Sequence, residues 1–296
     1  MSRSVPRVAL VTCAQQPDLH AEEAHLLPML RALGVLADAV VWDDAGVDWG
    51  GFDAVVLRST WDYFTRYPEF CAWLDRLEGQ VPVWNRPALL RWNADKRYLR
   101  ELEQRGVCIV PTAFCEPQSA PVLREMVRER GWDRVVLKPA VSGGAFRTHR
   151  FEARDAASYQ AALDDILTTT AALIQPFFPE IQDEGEWSFF FFDGAFHFAV
   201  LKVPQGDDYR VQPEFGGTYT RVVPEAWMLE QVQGVLGALP EAPAYARIDG
   251  VRRGRTFHLM EAELIEPFLY LRAAPEAAEA YARTVARLAR APRAAR

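Results

Sequence analysis

The sequence contains little cysteine, no long apolar run and less positive than negative charge. Four cysteines occur among the 296 residues, with neither a CxxC pair nor a histidine at ligand spacing. This absence argues against a disulfide framework and against a zinc site, and it favours structural thiols in a reducing compartment. The cysteines are Cys13, Cys71, Cys108 and Cys115.

The negative charge and the lack of a membrane segment narrow the possible partners. Affinity for nucleic acid comes mainly from clustered lysine and arginine, so a formal net charge of −7 predicts no nucleic-acid partner. No window approaches the roughly 18 apolar residues of a membrane span, and the first apolar stretch reads as a strand. We therefore expect a cytoplasmic monomer or homodimer that acts on a small molecule.

Length and patterning predict two or three packed modules, because chains beyond about 250 residues usually divide into domains. Short apolar runs alternate with helical segments over the first 90 residues or so, which is typical of an open, largely parallel α/β sheet. An α+β module follows, and then a hairpin joined at Asp193-Gly194. The segment 87–106 is predicted to be one helix, and 204–219 a long functional loop.

Two common nucleotide-binding signatures are missing. There is no GxxxxGK[ST] loop, and no GxGxxG follows the first strand, which disfavours the P-loop and Rossmann classes. Instead, Lys138 ends an apolar strand just before a glycine-bearing loop, where the amides of Ser142, Gly143 and Gly144 can approach phosphate oxygens. Taken alone, this pattern also fits a strand-end lysine followed by a turn.

Three carboxylates lie inside otherwise apolar strands. Asp249 is one, and Glu261 and Glu263 are two residues apart and so on one strand face. Burying an unpaired charge costs free energy, so these carboxylates either pair with arginines such as Arg247 or bind a hard cation. Mg²⁺ is commonly held by carboxylates together with phosphate oxygens, and we favour that interpretation.

Seven short motifs between residues 92 and 268 resemble the ATP-grasp superfamily: NADK, VVLKP, SGGAF, IQPF, GEWS, RIDG and ME.E..EP. Within it, the chain is similar to the glutathione-synthetase-like enzymes. Phrases such as VVLRSTWDY and ELIEPFLYL are similar to the cycloserine synthetase (cyclo-ligase) subgroup, and this similarity extends over almost the whole chain. The resemblance implies an ATP-grasp fold of α/β and α+β parts. Its N-terminal pre-ATP-grasp domain would span 1–92, a small subdomain 93–178 and a C-terminal subdomain 179–296.

The resemblance also implies roles for individual residues. Arg210 would face an acyl phosphate, and Lys202 would share this catalytic role unless it is a solvated strand lysine. Mg²⁺ would be held by Asp249, Glu261 and Glu263, although many relatives have asparagine at position 263. ATP would be bound by Lys96, Lys138, Ser142, Gly143, Gly144, Gln175, Pro176, Phe177, Phe178, Glu180 and Glu186.

Substrate contacts are implied at the end of an N-terminal strand, where an aromatic loop packing against the second domain is the alternative. The candidates are Arg58, Ser59, Thr60, Trp61, Asp62, Tyr63 and Arg147. In this interpretation Arg58 would bind the substrate carboxylate and Asp62 an amino group.

The implied activity is that of a Mg²⁺- and ATP-dependent ligase. It would activate a small amino-acid-like carboxylate, such as O-ureidoserine, as an acyl phosphate for attack by an amine-type nucleophile. In the cycloserine synthetase subgroup that nucleophile belongs to the same molecule. Three alternatives stay open: an intermolecular amino acid or peptide ligase, an ATP-grasp kinase, and a non-catalytic nucleotide-binding protein.

Overall fold

The computed structural model describes residues 5–206, 210–211 and 216–291, and within them three β-sheets follow one another along the chain. The first sheet is entirely parallel, with strand order β2-β1-β3-β4. Its strands are β1 (Arg7–Thr12), β2 (Leu36–Val41), β3 (Ala54–Ser59) and β4 (Val83–Trp84), with helices α1 (Leu26–Ala32) and α2 (Tyr67–Leu77) beside them. The predicted open parallel sheet is confirmed.

The second sheet is antiparallel, and one of its faces is covered by helices. Its strands are β5 (Ala113–Cys115), β6 (Arg134–Pro139), β7 (His149–Glu152) and β8 (Ala172–Pro176), in the order β5-β8-β6-β7. Helices α5 (Leu123–Arg130) and α6 (Gln160–Leu167) pack on the buried face. Because side chains alternate along β6, burying Val135 and Leu137 leaves Val136 and Lys138 on the opposite face.

The third sheet is also antiparallel, with the order β11-β10-β9-β12-β13. The predicted turn at Asp193-Gly194 is confirmed, since both residues have the positive φ that a two-residue hairpin turn requires. The elements are α7 (Glu180–Asp183), β9 (Glu186–Phe192), β10 (Ala195–Val203), β11 (Thr218–Val222), α8 (Ala226–Gly237), β12 (Tyr245–Arg253), β13 (Thr256–Glu263) and α9 (Pro275–Ala289). Part of the predicted loop 204–219 lies outside the described residues, and its last two residues begin β11.

The helix predicted over 87–106 is divided in two, so that prediction is wrong. Helix α3 (Pro87–Ala94) ends before Asp95, which has an extended backbone, and α4 (Tyr98–Gln104) begins three residues later. The break is made by a tertiary contact that local periodicity does not contain, because the backbone amide of Lys96 donates to the Ala140 carbonyl at 2.9 Å.

The structure bears on two expectations from composition, which concern the cysteines and membrane-spanning helices. The four cysteines are free thiols, and two of them, Cys13 and Cys115, are buried. Within the described residues, no helix combines the length and the apolar character needed to cross a membrane.

Candidate active site

A cavity of about 710 Å³ lies between the second and third sheets and reaches the segment that follows β3. Most of the residues predicted from the sequence line this one cavity, although they come from the second and third sheets, from loops, and from the segment that follows β3. They are Trp61, Tyr63, Lys96, Lys138, Ser142, Gly143, Gly144, Gln175, Pro176, Phe177, Phe178, Glu186, Lys202, Arg210, Asp249, Glu261 and Glu263.

One end of the cavity is apolar and suits a flat aromatic group. Val110, Val136, Phe177, Phe178 and Met260 belong to a single apolar cluster, and each of them also lines the cavity. This end lies beside the last residues of β8, where the chain passes from the second sheet to the third.

Two lysines stand next to this apolar end. The ammonium group of Lys96 donates to the carbonyl and hydroxyl oxygens of Ser142 and forms an ion pair with Glu261 at 3.1 Å. Burial lowers the pKa of Lys138 to about 8, and the nearby charge of Lys96 acts in the same direction. An anion between the two lysines would relieve this repulsion, so the pair suits a polyphosphate.

The glycine loop after β6 packs against Phe64, which lies in the segment that follows the first sheet. A Cβ at Gly143 would lie 2.8 Å from Cε1 of Phe64, so the close approach of the ring requires glycine at this position. Phe64 also contacts Phe146 of the same loop, with ring centroids 5.3 Å apart. The loop therefore covers the cavity from the side of the second sheet.

A buried ion-pair network lies on the floor of the cavity. Asp249 accepts hydrogen bonds from Nε and Nη2 of Arg247 at 2.8–3.0 Å and from the Ser188 hydroxyl at 2.6 Å. Lys202 lies 3.4 Å from Asp249 and 2.5 Å from Glu186. Burial alone would raise the pKa of Asp249, but Arg247 and Lys202 hold it below its usual value. Because the Lys202 side chain is buried, the alternative of a solvated lysine is wrong.

The negative charges of the neighbouring glutamates are less well compensated by nearby cations. Burial raises the pKa of Glu263 to about 8 and that of Glu266 to about 7, and the charge of Glu261 adds to both shifts. Glu263 is paired with Arg247, and Glu261 with Lys96. This surplus of buried negative charge is an environment that a divalent cation would stabilise.

The glutamates fit a cation only together with ligands beyond the described carboxylates. Within the described residues, no three histidine, cysteine, aspartate or glutamate side chains converge closely enough to hold a metal ion. The oxygens of Asp249 are engaged by Arg247, Lys202 and Ser188. Glu261 and Glu263 therefore fit Mg²⁺ as a pair that shares it with phosphate oxygens, which is how this ion is usually bound.

Comparison with known proteins identifies the family. The cycloserine biosynthesis protein DcsG of Streptomyces lavendulae is 30% identical over 296 residues, covering 94% of this chain and 97% of that protein. The chain belongs to the cycloserine synthetase family of ATP-grasp ligases. The family model for the N-terminal domain of D-cycloserine synthetase DcsG matches residues 8–85 of this ligase. The predicted superfamily, subgroup and enzyme class are confirmed.

Solved structures show the same fold. The crystal structure of D-cycloserine synthetase DcsG aligns with a TM-score of 0.87 at 28% identity, over 95% of this chain and 99% of that one. A RimK domain ATP-grasp protein from Sphaerobacter thermophilus aligns with a TM-score of 0.70 at 20% identity, over 95% and 98%. The D-alanine–D-alanine ligase of Bacillus anthracis complexed with ATP has a TM-score of 0.70 at 14% identity, over 97% of both chains. The predicted ATP-grasp fold is confirmed.

The structure corrects the position of Arg58 in this ligase. Its side chain is fully buried and forms an ion pair with buried Glu23 at 2.5 Å, while Nη2 donates to the Pro267 carbonyl at 2.8 Å. It is not part of the cavity wall, so it cannot bind the substrate carboxylate there. Ser59 and Thr60 are buried with it. Only Trp61 and Tyr63 of this predicted group line the cavity.

Three other predicted residues of this ligase are engaged outside the cavity wall. Asp62 accepts a hydrogen bond from Nε1 of Trp42 at 2.9 Å. Arg147 pairs with Asp165. Glu180 pairs with Arg253 at 3.1 Å. None of the three lines the cavity in this structure, so their contacts with substrate or ribose stay predictions.

Several cavity residues were missed by sequence reasoning. Glu266 stands in the ME.E..EP motif, but only the first two glutamates of that motif were assigned a role. Arg247 was considered only as a partner for carboxylates, yet it also lines the cavity. His20, Phe268 and Tyr270 also line the cavity, where they cluster with Trp61 as its aromatic end, and no spacing pattern marks them.

We expect Arg58→Met to lower the free energy of unfolding by about 3–5 kcal/mol, because it leaves the Glu23 carboxylate buried without a cation. Adding Glu23→Leu removes that unpaired charge, so the double variant should recover most of the loss. Urea unfolding of the wild type, both single variants and the double variant measures the coupling. Additive losses would contradict this account of the pair.

Proposed function

We propose that this ligase uses ATP and Mg²⁺ to activate the carboxylate of a small amino acid as an acyl phosphate, which an amine-type nucleophile of the same molecule then attacks. The observation that carries the proposal is the cavity itself. It combines an apolar end, two lysines, a glycine loop, a carboxylate pair and an aromatic end in one continuous space. The full-length similarity to the cycloserine biosynthesis protein DcsG supports a ring-closing reaction.

In this proposal the apolar end receives adenine, next to Gln175, Phe177 and Phe178. Lys96 and Lys138 neutralise phosphate oxygens, and the amides of the glycine loop approach the terminal phosphate. Glu261 and Glu263 would hold Mg²⁺, which would supply further neutralisation of the phosphates when bound. Asp249 stabilises Arg247 and Lys202 in their charged forms, which keeps two cations facing the reacting end.

The chemical step follows from that charge distribution. A substrate carboxylate oxygen attacks the γ-phosphorus in line, and ADP leaves. Arg210 lines the cavity where the transferred phosphoryl group would carry its charge, and its guanidinium could bind two of the oxygens at once. Arg247, which is held by Asp249 and Glu263, contributes positive charge nearby. The glycine loop, resting on Phe64, keeps water from the acyl phosphate. The nucleophile then displaces phosphate.

The test is ATP turnover with Mg²⁺ across a panel of amino acids, dipeptides and O-ureidoserine, with ADP, free phosphate and product mass measured together. We expect one amino acid to stimulate stoichiometric release of ADP and phosphate, and EDTA to abolish the reaction. A stable phosphorylated product without free phosphate would instead identify a kinase. A requirement for two different substrates would identify an intermolecular ligase.

A further inference from the structure

We propose that Glu266, together with the rings of His20, Trp61 and Phe268, forms the subsite that binds the ammonium group of the substrate. This inference rests on the proposed function, because it concerns the part of the same cavity that lies away from the nucleotide. Such a subsite would select substrates that carry a free amino group.

The first argument is the pairing of the carboxylates that line the cavity. Four of them already have a cationic partner within 4 Å: Glu186 and Asp249 pair with Lys202, Glu261 with Lys96, and Glu263 with Arg247. Glu266 also lines the cavity but, within the described part of the chain, forms no ion pair at that distance. Lys96 and Arg247 attract this carboxylate only from beyond ion-pair distance. A partly buried carboxylate with no cation at ion-pair distance is costly, so a cation supplied by a ligand fits this position.

The second argument is the aromatic surround. Ring centroids of His20 and Trp61 lie 5.8 Å apart, those of His20 and Phe268 5.1 Å apart, and those of Trp61 and Phe268 6.3 Å apart. The three rings thus form a triangle at the cavity wall. Aromatic faces attract ammonium groups, and they exclude the water that would weaken a contact with the carboxylate.

The third argument is that one buried side chain, Arg58, holds both chain segments that form this subsite, the one around Pro267 and the one around His20. Arg58 donates to the carbonyl of Pro267, which lies between Glu266 and Phe268. It also binds Glu23, whose backbone amide donates to the His20 carbonyl at 2.7 Å. Trp61 adds a hydrogen bond from Nε1 to the Glu266 carbonyl at 3.3 Å. Such preorganisation reduces the entropy lost when a ligand binds.

The fourth argument is charge complementarity with an amino acid. Arg210 lines the cavity and suits a carboxylate, whereas Glu266 supplies the opposite charge for the ammonium group. A zwitterion bound in this way would direct its carboxylate toward the phosphates. A substrate without the amino group would leave Glu266 unsatisfied.

The experiment compares O-ureidoserine with 3-(ureidooxy)propanoic acid, which lacks only the amino group. Binding is measured by isothermal titration calorimetry with Mg²⁺ and a non-hydrolysable ATP analogue present, so no turnover is needed. We expect the wild type to prefer the amino compound by about 10- to 100-fold, which is typical for a hydrogen bond to a charged group. Glu266→Gln should remove the preference by weakening only the amino compound.

The control variant is Glu279→Gln, which removes an exposed carboxylate on α9 and should retain the full preference. The proposal is overturned if Glu266→Gln keeps the preference, or if the wild type binds both compounds equally or neither. It is also overturned if Glu266→Gln loses Mg²⁺-ADP binding, because Glu266 would then be a metal ligand. If the wild type prefers the amino compound but forms no ADP with it, this subsite is retained and the proposed function is refuted. If both compounds are turned over equally, the proposed function is retained and this subsite is refuted.

Discussion

Asp249→Asn is expected to reduce the rate of ADP formation by roughly 10²- to 10³-fold, as is typical for loss of a charge-stabilising group in an active site. It should also lower the free energy of unfolding by about 3–5 kcal/mol, because it leaves Arg247 and Lys202 buried with too little negative charge. Steady-state turnover and urea unfolding measure the two effects separately.

Glu263→Gln is the matched comparison, because this carboxylate lies in the same network but its pKa is raised, whereas the pKa of Asp249 is lowered. Burial raises the pKa of Glu263, so its negative charge stabilises the folded protein less than that of Asp249, and the neutral glutamine should change the free energy of unfolding by less than about 1 kcal/mol. Equal destabilisation by Asp249→Asn and Glu263→Gln would show that the two carboxylates do not differ in this way.

Lys138→Met is expected to weaken ATP binding by about 10- to 100-fold while making the protein more stable. The loss of affinity follows from removing a charged hydrogen-bond donor from the proposed phosphate site. The gain in stability follows from removing a cation that burial disfavours, and we expect about 1–3 kcal/mol at pH 7. Calorimetric titration with a non-hydrolysable ATP analogue, and thermal unfolding without nucleotide, provide the two measurements.

The pH dependence of this stability difference has a defined sign. The pKa of Lys138 falls from 10.5 in the unfolded chain to about 8 in the folded protein, so between these values the unfolded state binds more protons. The stability of the wild type therefore increases from pH 8 to 10.5. Below pH 8, the full cost of burying the charged Lys138 side chain is present. The difference between Lys138→Met and the wild type should narrow as pH rises through that interval. A constant difference would show that the effect is packing rather than charge.

Local patterns predicted much of the scaffold. Alternating apolar runs identified the parallel first sheet, and Asp193-Gly194 identified the β9–β10 turn, because both signals depend on neighbouring residues. The same local reasoning failed at 87–106, where a hydrogen bond from Lys96 to Ala140 interrupts the helical pattern. The domain boundaries at residues 92 and 178, the cytoplasmic location and the oligomeric state stay predictions.

The sequence likewise predicted part of the candidate site but not all of it. Lys138 and the three carboxylates Asp249, Glu261 and Glu263 were found because charges in apolar strands are conspicuous, and all four line the cavity. Asn93 shows what the sequence did not reveal. Its side-chain amide donates to the Ala262 carbonyl at 2.7 Å and accepts from the Leu264 amide at 2.9 Å, which fixes the strand segment that carries Glu261 and Glu263.

By itself, the sequence determined the order of strands and helices, the family, and the kinds of side chain available to a nucleotide site. Only the tertiary structure decided which charges meet. Arg58 and Glu23 are 35 residues apart in sequence, and their contact places Arg58 in the core. Glu266 lines the cavity, and no cation in the described part of the chain forms an ion pair with it. The physical reason is that a buried charge is stabilised by whichever opposite charge folding brings within a few ångströms, and no local pattern specifies that partner.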